Sequence, residues 1–135
     1  MPQSNTDLAK AFIAALSAGR LPDDLLTADM TAWTTSSGVD NDKARYQGGV
    51  QMLSSIFKEI AYEVDSTTAE GDRVAVEARM NGVLNTGEAF ANRYVFILRI
   101  RDGRIASVAE HFNPAPVFEK IVPLLREAMA KASEG

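Results

Sequence analysis

The sequence predicts an α+β fold in which N-terminal helices pack on one face of a curved antiparallel sheet. Apolar residues recur at helical spacing before about residue 60, whereas residues 62–113 largely alternate with the period of a strand. The pairs Gly71-Asp72 and Asp102-Gly103 separate the alternating segments, as hairpin turns do. A curved sheet closed by helices forms a cone with an interior cavity, and small-molecule sites tend to form in such cavities.

Three helices are predicted ahead of the main sheet. The first begins at Thr6 as its N-terminal cap and ends at Gly19, and its apolar residues recur every three or four positions. A short second helix covers residues 21–26, with Pro22 in its first turn. A third helix covers residues 47–61, where apolar side chains again share one face.

The strands are predicted from alternation and from the turns that bound them. A short strand at residues 30–35 precedes a polar loop at residues 36–44, which is expected to be a mobile flap. Strands then follow at residues 62–70 and 73–84, and residues 89–113 form a long hairpin.

Prolines end the sheet and shape the C-terminal segment. Pro114 and Pro116 follow the last strand, and a helix is expected from about residue 116. Proline inside an unbroken helix costs about 3 kcal/mol, so a break is expected at Pro123, which then starts the final helix. Residues 1–135 are expected to form one domain, since this length suits a single hydrophobic core.

Composition excludes several classes of function. The net charge is −4 and no Lys/Arg cluster interrupts it, which argues against nucleic acid and anionic membranes as partners. The chain has no Cys and one His, so neither thiolate chemistry nor a conventional zinc site is expected. No apolar run approaches the roughly 20 residues that span a bilayer, and no signal-peptide pattern opens the chain. We therefore expect a cytoplasmic protein without a metal or other cofactor.

Glu110 is the first candidate for catalysis. Strand alternation puts it on one face with Val108 and Phe112. If that face is concave, a carboxyl group stands in an apolar pocket, where burial raises its pKa and suits it to general acid/base work near neutral pH. The alternative is that Glu110 lies at a sheet edge or forms a structural salt bridge.

Further candidates lie on the neighbouring strands. Arg79 and Asn81 share a face that either meets water or lines a polar cavity, where Arg79 would hold Glu110 ionised or bind an anionic or carbonyl group. Tyr94 shares a face with Asn92 and would donate a hydrogen bond to a ligand oxygen, or else is a core residue.

Two aromatic residues complete the set of candidates, and the only histidine falls outside it. Trp33 would wall the cavity or pack in the core, and the sequence does not separate these alternatives. Phe112 lies on the same face as Glu110, whereas His111 lies on the opposite face.

The chain resembles the SnoaL-like branch of the nuclear transport factor 2-like superfamily over roughly residues 7–122. The segments that carry the resemblance are Asn92-Arg93-Tyr94-Val95-Phe96, Arg101-Asp102-Gly103-Arg104-Ile105 and Glu110-His111-Phe112-Asn113-Pro114. The resemblance implies a cone of curved sheet and helices, commonly a homodimer. The family includes ketosteroid isomerases, limonene epoxide hydrolases, polyketide cyclases, dehydratases and proteins that only bind.

Residue by residue, the resemblance is partial. Relatives of the epoxide hydrolase type use an acid-Arg-acid arrangement, in which Glu110 resembles one acid, Arg79 the arginine, and the second acid falls on Asn81. The acid of polyketide cyclases falls on Asn113. Neither amide can act as a general acid or base, so Glu110 is the cavity carboxyl common to every comparison, as in relatives from phenazine biosynthesis.

These observations predict an enzyme of the isomerase, cyclase, dehydratase or hydrolase type that transfers a proton to or from a small, largely apolar molecule. Glu110 and Arg79 are the predicted catalytic residues. The predicted substrate-binding residues are Asn81, Tyr94, Asn92, Trp33 and Phe112. The alternatives are a non-catalytic ligand-binding or dimeric accessory module, and a protein that interacts through the outer face of its sheet.

Overall fold

The computed structural model describes residues 4–134, which form a six-stranded sheet and four α-helical segments. The elements in chain order are α1 (Asn5–Ala18), a 3₁₀ turn (Asp23–Leu25), β1 (Leu26–Thr34), β2 (Asp40–Asp42), α2 (Lys43–Ser55), β3 (Phe57–Glu70), β4 (Arg73–Leu84), β5 (Ala89–Arg101), β6 (Arg104–Phe112), α3 (Pro114–Pro116), a π-helical turn (Val117–Ile121) and α4 (Val122–Glu134). The predicted α+β class is therefore confirmed.

The sheet is curved and does not close, with the strand order β2-β1-β6-β5-β4-β3. Strands β3 to β6 form successive antiparallel hairpins, and β2 pairs antiparallel with β1 at the edge. The pair of β1 and β6 is parallel, which the expectation of an antiparallel sheet did not include. No tight turn constrains these two strands, because most of the sheet lies between them in the chain.

The hydrophobic core lies on the concave face of the sheet. Along β4, Val76, Ala78 and Met80 are buried, and the intervening side chains are exposed or partly exposed. Strand β5 shows the same alternation, with Phe96 fully buried. Helix α1 packs across β3 and β4, and its Phe12 meets Phe96 edge-to-face at a ring-centroid distance of 5.8 Å. The concave face is thus covered by helices, as predicted.

Helix boundaries differ from the predictions for identifiable reasons. Ser4, not Thr6, caps α1, because its Oγ accepts a hydrogen bond from the Asp7 backbone N–H at 3.0 Å. Helix α2 begins at Lys43 rather than at residue 47, since Asp42 caps it. It also ends earlier, because Phe57 already pairs with β4 and strand pairing overrides the helical spacing of the apolar residues.

The polar segment expected to be a flap contains regular secondary structure. Residues 36–44 contain a tight turn, the edge strand β2 and the start of α2. The turn is held by Ser37, whose Oγ lies within hydrogen-bond distance of the Thr34 and Val39 carbonyls and accepts a hydrogen bond from the Val39 N–H. The expectation of an irregular loop is therefore wrong for residues 40–44, and the mobility of the segment stays a prediction.

The C-terminal segment accommodates Pro123 without the expected break. Pro123 is the second residue of α4, and the π-helical turn precedes it directly. There the Val122 N–H donates to the Val117 carbonyl, five residues back. The wider turn continues the helical path at the position where Pro123 lacks an N–H. The final α-helix begins at Val122, next to Pro123 as predicted, but it follows the π-helical turn without a break.

Candidate active site

A cavity of about 270 Å³ lies between the concave face of the sheet, α2 and the C-terminal segment. Its wall is mostly apolar and includes five aromatic side chains. These are Tyr46, Tyr62, Phe90, Tyr94 and Phe112. Polar residues such as Thr34, Ser36 and Asn41 line it near β1 and β2. The cavity has the size and polarity of a pocket for a small organic molecule.

Strand β6 places the Glu110 side chain in this cavity. Alternation along β6 turns Glu110 to the same face as the buried Val108, and its backbone pairs with Phe96 of β5. Glu110 is partly buried and is one of the residues that line the cavity. Glu110 therefore stands in a mostly apolar pocket, and not at a sheet edge as the alternative had it.

The carboxyl group of Glu110 has one protein partner and one free oxygen. The Tyr46 hydroxyl donates to Glu110 Oε1 at 2.9 Å. Among residues 4–134, no donor contacts Oε2, and no buried side-chain oxygen lacks a partner, so Oε2 is accessible from the cavity. A molecule in the cavity can therefore reach the carboxyl group directly.

Burial raises the pKa of Glu110 from 4.5 to about 7, and the Tyr46 hydrogen bond opposes part of that rise. Near neutral pH the group therefore exists in both forms, which suits a general acid or base. Burial also raises the pKa values of Tyr46, Tyr62 and Tyr94, so their hydroxyls remain neutral donors.

The structure does not bring Arg79 to Glu110. Arg79 points from the convex face of β4, where its Nε donates to Asp65 Oδ1 at 2.8 Å and a terminal nitrogen donates to Glu63 Oε2 at 3.0 Å. Asn81 is exposed on the same face. The expected cavity placement is wrong for both residues, because the apolar face of β4 turns inward and the polar face turns to water.

The other predicted binding residues divide between the cavity and its surroundings. Tyr94 and Phe112 line the cavity as expected, and their roles remain predictions. Asn92 does not line it, because its Nδ2 donates to the Asn113 carbonyl at 3.0 Å. Trp33 also lies outside the cavity wall, with its ring centroid 4.8 Å from that of His111.

The sequence analysis missed two tyrosines of the cavity, Tyr46 and Tyr62. Tyr46 lies in the first turn of α2, ahead of the predicted start of that helix. Its spacing to Val50 and Leu53 was the available signal, since all three share one helical face. Tyr62 lies on β3 and contacts Tyr94 edge-to-face at a centroid distance of 5.6 Å.

The described residues contain neither a metal cluster nor a membrane-spanning helix. Within residues 4–134, no group of three or more His, Asp or Glu side chains is placed to hold a metal ion. None of the helices described is both long and apolar enough to cross a membrane.

The fold and the site together define a nuclear transport factor 2-like protein whose cone encloses a small cavity. The SnoaL-like domain matches residues 9–108, and the chain belongs to this family. The resemblance noted in the sequence is thereby confirmed. No curated protein matches the chain.

Solved structures of the same fold include proteins from bacterial sources. IdmH of Streptomyces antibioticus, a polyketide cyclase candidate, is 19% identical with a TM-score of 0.77, over 87% of this chain and 97% of that one. AclR of Streptomyces galilaeus, a hydroxylase candidate, is 20% identical with a TM-score of 0.76, over 86% and 93%. A ketosteroid isomerase-like protein of Catenulispora acidiphila, in complex with trimethylamine, is 20% identical with a TM-score of 0.67, over 79% and 85%. At these identities the likeness establishes the fold.

Proposed function

We propose that this protein is an enzyme that transfers a proton to or from a small, largely apolar molecule, with Glu110 as the general acid/base. The observation that carries the proposal is the Glu110 carboxyl group, which is partly buried, has one oxygen open to the cavity, and has a pKa of about 7. Membership of the SnoaL-like family supports an enzymatic role. The fold shared with cyclase and hydroxylase candidates is consistent with it.

The reaction class that fits this site is isomerisation, cyclisation, dehydration or hydrolysis. In its ionised form Glu110 would remove a proton from the bound molecule, and in its protonated form it would return that proton to another atom. The Tyr62 and Tyr94 hydroxyls would donate hydrogen bonds to an oxygen on which negative charge develops. Tyr46 would hold the carboxyl group in place from its other oxygen.

A general probe of base catalysis tests this proposal without knowledge of the natural substrate. The probe is 5-nitrobenzisoxazole, whose N–O bond breaks when a base removes its ring C–H proton, giving a coloured phenolate. The wild-type rate should rise with pH and level off above about 7, since only the ionised form of Glu110 accepts a proton. Glu110→Gln should lower the rate by about 10²-fold or more.

The control for this experiment is Glu59→Gln, which removes an exposed carboxyl of β3 outside the cavity wall. Its rate should equal that of the wild type. Equal rates for wild type and Glu110→Gln would contradict the proposal.

A second candidate function is ligand binding without catalysis. It is favoured by the presence of only one carboxyl group among the cavity-lining residues described, and by the position of Arg79 on the other face. The trimethylamine complex of a protein with this fold is consistent with small-ligand binding. This candidate predicts a ligand that is released unchanged from both wild type and Glu110→Gln.

We also propose that the protein acts as a homodimer in the cytoplasm, with the convex face of the sheet between the two copies. Val95 is exposed on that face and Ile97 is partly exposed, so a partner would cover apolar surface there. Sedimentation equilibrium of wild type and Val95→Glu tests the assembly, since the charge should shift a dimer towards monomer. A monomeric wild type would contradict it.

A further inference from the structure

The Glu110 carboxyl group has no positively charged partner, unlike several acids elsewhere in the molecule. On the surface, Glu63 and Asp65 pair with Arg79, and Glu88 pairs with Lys120. Of the described residues that line the cavity, only Arg45 is basic, and it is exposed and belongs to the α2 side of the wall. An ionised carboxylate in an apolar cavity is costly when no cation accompanies it.

Aromatic rings line the cavity that holds this unpaired acid. Tyr94 packs against Phe112 at a centroid distance of 5.2 Å and against Tyr62 at 5.6 Å, and all three line the cavity with Tyr46 and Phe90. Aromatic faces attract cations, and they do so most strongly where water is excluded. The carboxylate and the aromatic wall of this cavity both favour a positively charged ligand.

We infer that the cavity binds an organic cation, an alkylated ammonium group, with its positive charge beside Glu110 Oε2 and its alkyl groups against the aromatic wall. This inference names the class of ligand, and it rests on the proposed function in taking the cavity at Glu110 as the binding site. Divalent metal ions fit poorly, because no group of three His, Asp or Glu side chains in residues 4–134 is placed to hold one, and Glu110 is the single carboxylate among the lining residues described. An alkylated ammonium group is less strongly hydrated than a small inorganic ion and carries its own apolar surface, so its desolvation costs less.

The ionisable groups near Glu110 determine how the affinity for a cation should depend on pH. Tyr46 of α2, Tyr62 of β3 and Tyr94 of β5 remain neutral, because burial raises their pKa values, and Arg45 is the one basic side chain among the cavity-lining residues described. Glu110, with its pKa of about 7, is then the cavity group whose charge changes between mildly acidic and mildly basic pH. A cation should bind tightly above pH 7, and below it binding should displace the Glu110 proton.

Calorimetric titration with two probes of the same shape tests the inference. Choline carries a permanent positive charge, and 3,3-dimethylbutanol is its neutral isostere. At about pH 8.5, choline should bind the wild-type protein at least about tenfold more tightly than the alcohol. Its affinity should fall as pH is lowered through 7, by up to about tenfold per pH unit.

Proton release and two variants sharpen the test. At about pH 6, choline binding should release a measurable fraction of one proton, about 0.4 for tenfold coupling and more for stronger coupling, measured in two buffers of different ionisation enthalpy. Glu110→Gln should abolish both the proton release and the preference for choline. Glu59→Gln removes the same charge from the exposed surface and should bind as the wild type does.

The outcomes separate this inference from the proposed function. Equal affinities for the two probes, choline binding that does not change with pH, or unchanged binding by Glu110→Gln would overturn the cation inference. Failure of both probes to bind would overturn it as well. The nitrobenzisoxazole rate then decides the acid/base proposal independently, because that probe is neutral.

Discussion

At the residue scale, Glu110 and Tyr46 join the last strand of the sheet to the first turn of α2 through one hydrogen bond of 2.9 Å. That bond favours the ionised carboxyl group, and burial disfavours it more strongly, so that the pKa of Glu110 rises to about 7. The ionised form of Glu110, which the proposed base catalysis requires, therefore destabilises the folded state. This cost can be measured without any substrate.

The first prediction concerns the pH dependence of stability. Between pH 4.5 and about 7 the folded protein keeps a Glu110 proton that the unfolded chain releases, so the free energy of unfolding falls as pH rises through this window. The free energy of unfolding falls by about 3 kcal/mol, because the pKa of Glu110 rises from 4.5 in the unfolded chain to about 7 in the folded protein. Glu110→Gln has no such ionisation, so its stability relative to wild type should increase by that order between about pH 5 and about pH 8.

Urea unfolding at the two pH values provides the measurement. Glu59→Gln is the matched control, because its side chain is exposed, and it should show no comparable change relative to wild type. If Glu110→Gln differs from wild type by the same amount at both pH values, the Glu110 pKa is not raised.

Single residues also show what strand alternation can and cannot predict about the direction of a side chain. It placed Glu110, Val108 and Phe112 on one face, and the structure agrees. It left both faces of β4 open, so the side of Arg79 could not be decided from the sequence. The charged partners that keep Arg79 on the convex face, Glu63 and Asp65, lie on another strand, and only the pairing of β3 with β4 brings them near.

At the element scale, α2 determines where Tyr46 stands. Asp42 caps this helix by accepting a hydrogen bond from the Arg45 backbone N–H at 2.9 Å, and Tyr46 follows in the same turn. Loss of the cap exposes unpaired N–H groups and frays the first turn. The geometry of the Tyr46–Glu110 hydrogen bond thus depends on a side chain outside the cavity wall.

The second prediction is that Asp42→Ala destabilises the protein by about 1 kcal/mol and raises the Glu110 pKa further, because the Tyr46 hydrogen bond weakens. A carbon-detected NMR titration of the Glu110 carboxyl group measures the pKa, and thermal unfolding measures the stability. Asp42→Asn, which can still accept the capping bond, should restore both.

Ser4→Ala is the matched control for this prediction, since Ser4 caps α1 in the same way but far from Tyr46 in the chain. It should lower stability by about 1 kcal/mol and leave the Glu110 pKa unchanged. A pKa shift of equal size in both alanine variants would show that α2 has no special part in holding Tyr46.

Elements differed in how well the sequence predicted them. The bounds of β4 and the β5–β6 hairpin followed from alternation between strong turn signals, because these strands pair with neighbours in the chain. The bounds of α2 did not, because helical spacing continues past Ser55 into residues that pair with β4. Tyr46 was missed with the start of that helix. A local sequence pattern does not show which strands distant in the chain will pair, and here that pairing ends the helix.

At the scale of the whole molecule, the two faces of the sheet have different chemistry. The concave face is apolar and holds the cavity, whereas the convex face of β3 and β4 carries ion pairs such as those of Arg79. Exposed ion pairs of this kind contribute at most about 1 kcal/mol, because water and salt screen them. The convex pairs therefore do little for the site behind them.

The third prediction tests this separation of the faces. Arg79→Gln should change the nitrobenzisoxazole rate by less than about twofold and the stability by less than about 1 kcal/mol. Rate measurements beside Glu110→Gln, together with urea unfolding, provide the check. A loss of rate as large as that of Glu110→Gln would restore Arg79 to the catalytic machinery.

The parallel pairing of β1 with β6 has a consequence for biosynthesis. The first and last strands become neighbours only when β6 has left the ribosome, so a nascent chain that ends at β5 exposes an unpaired strand edge. Contacts between such distant segments raise the contact order and slow folding. Glu110 is carried by that final strand, so the acid enters its pocket in the same late event that completes the sheet.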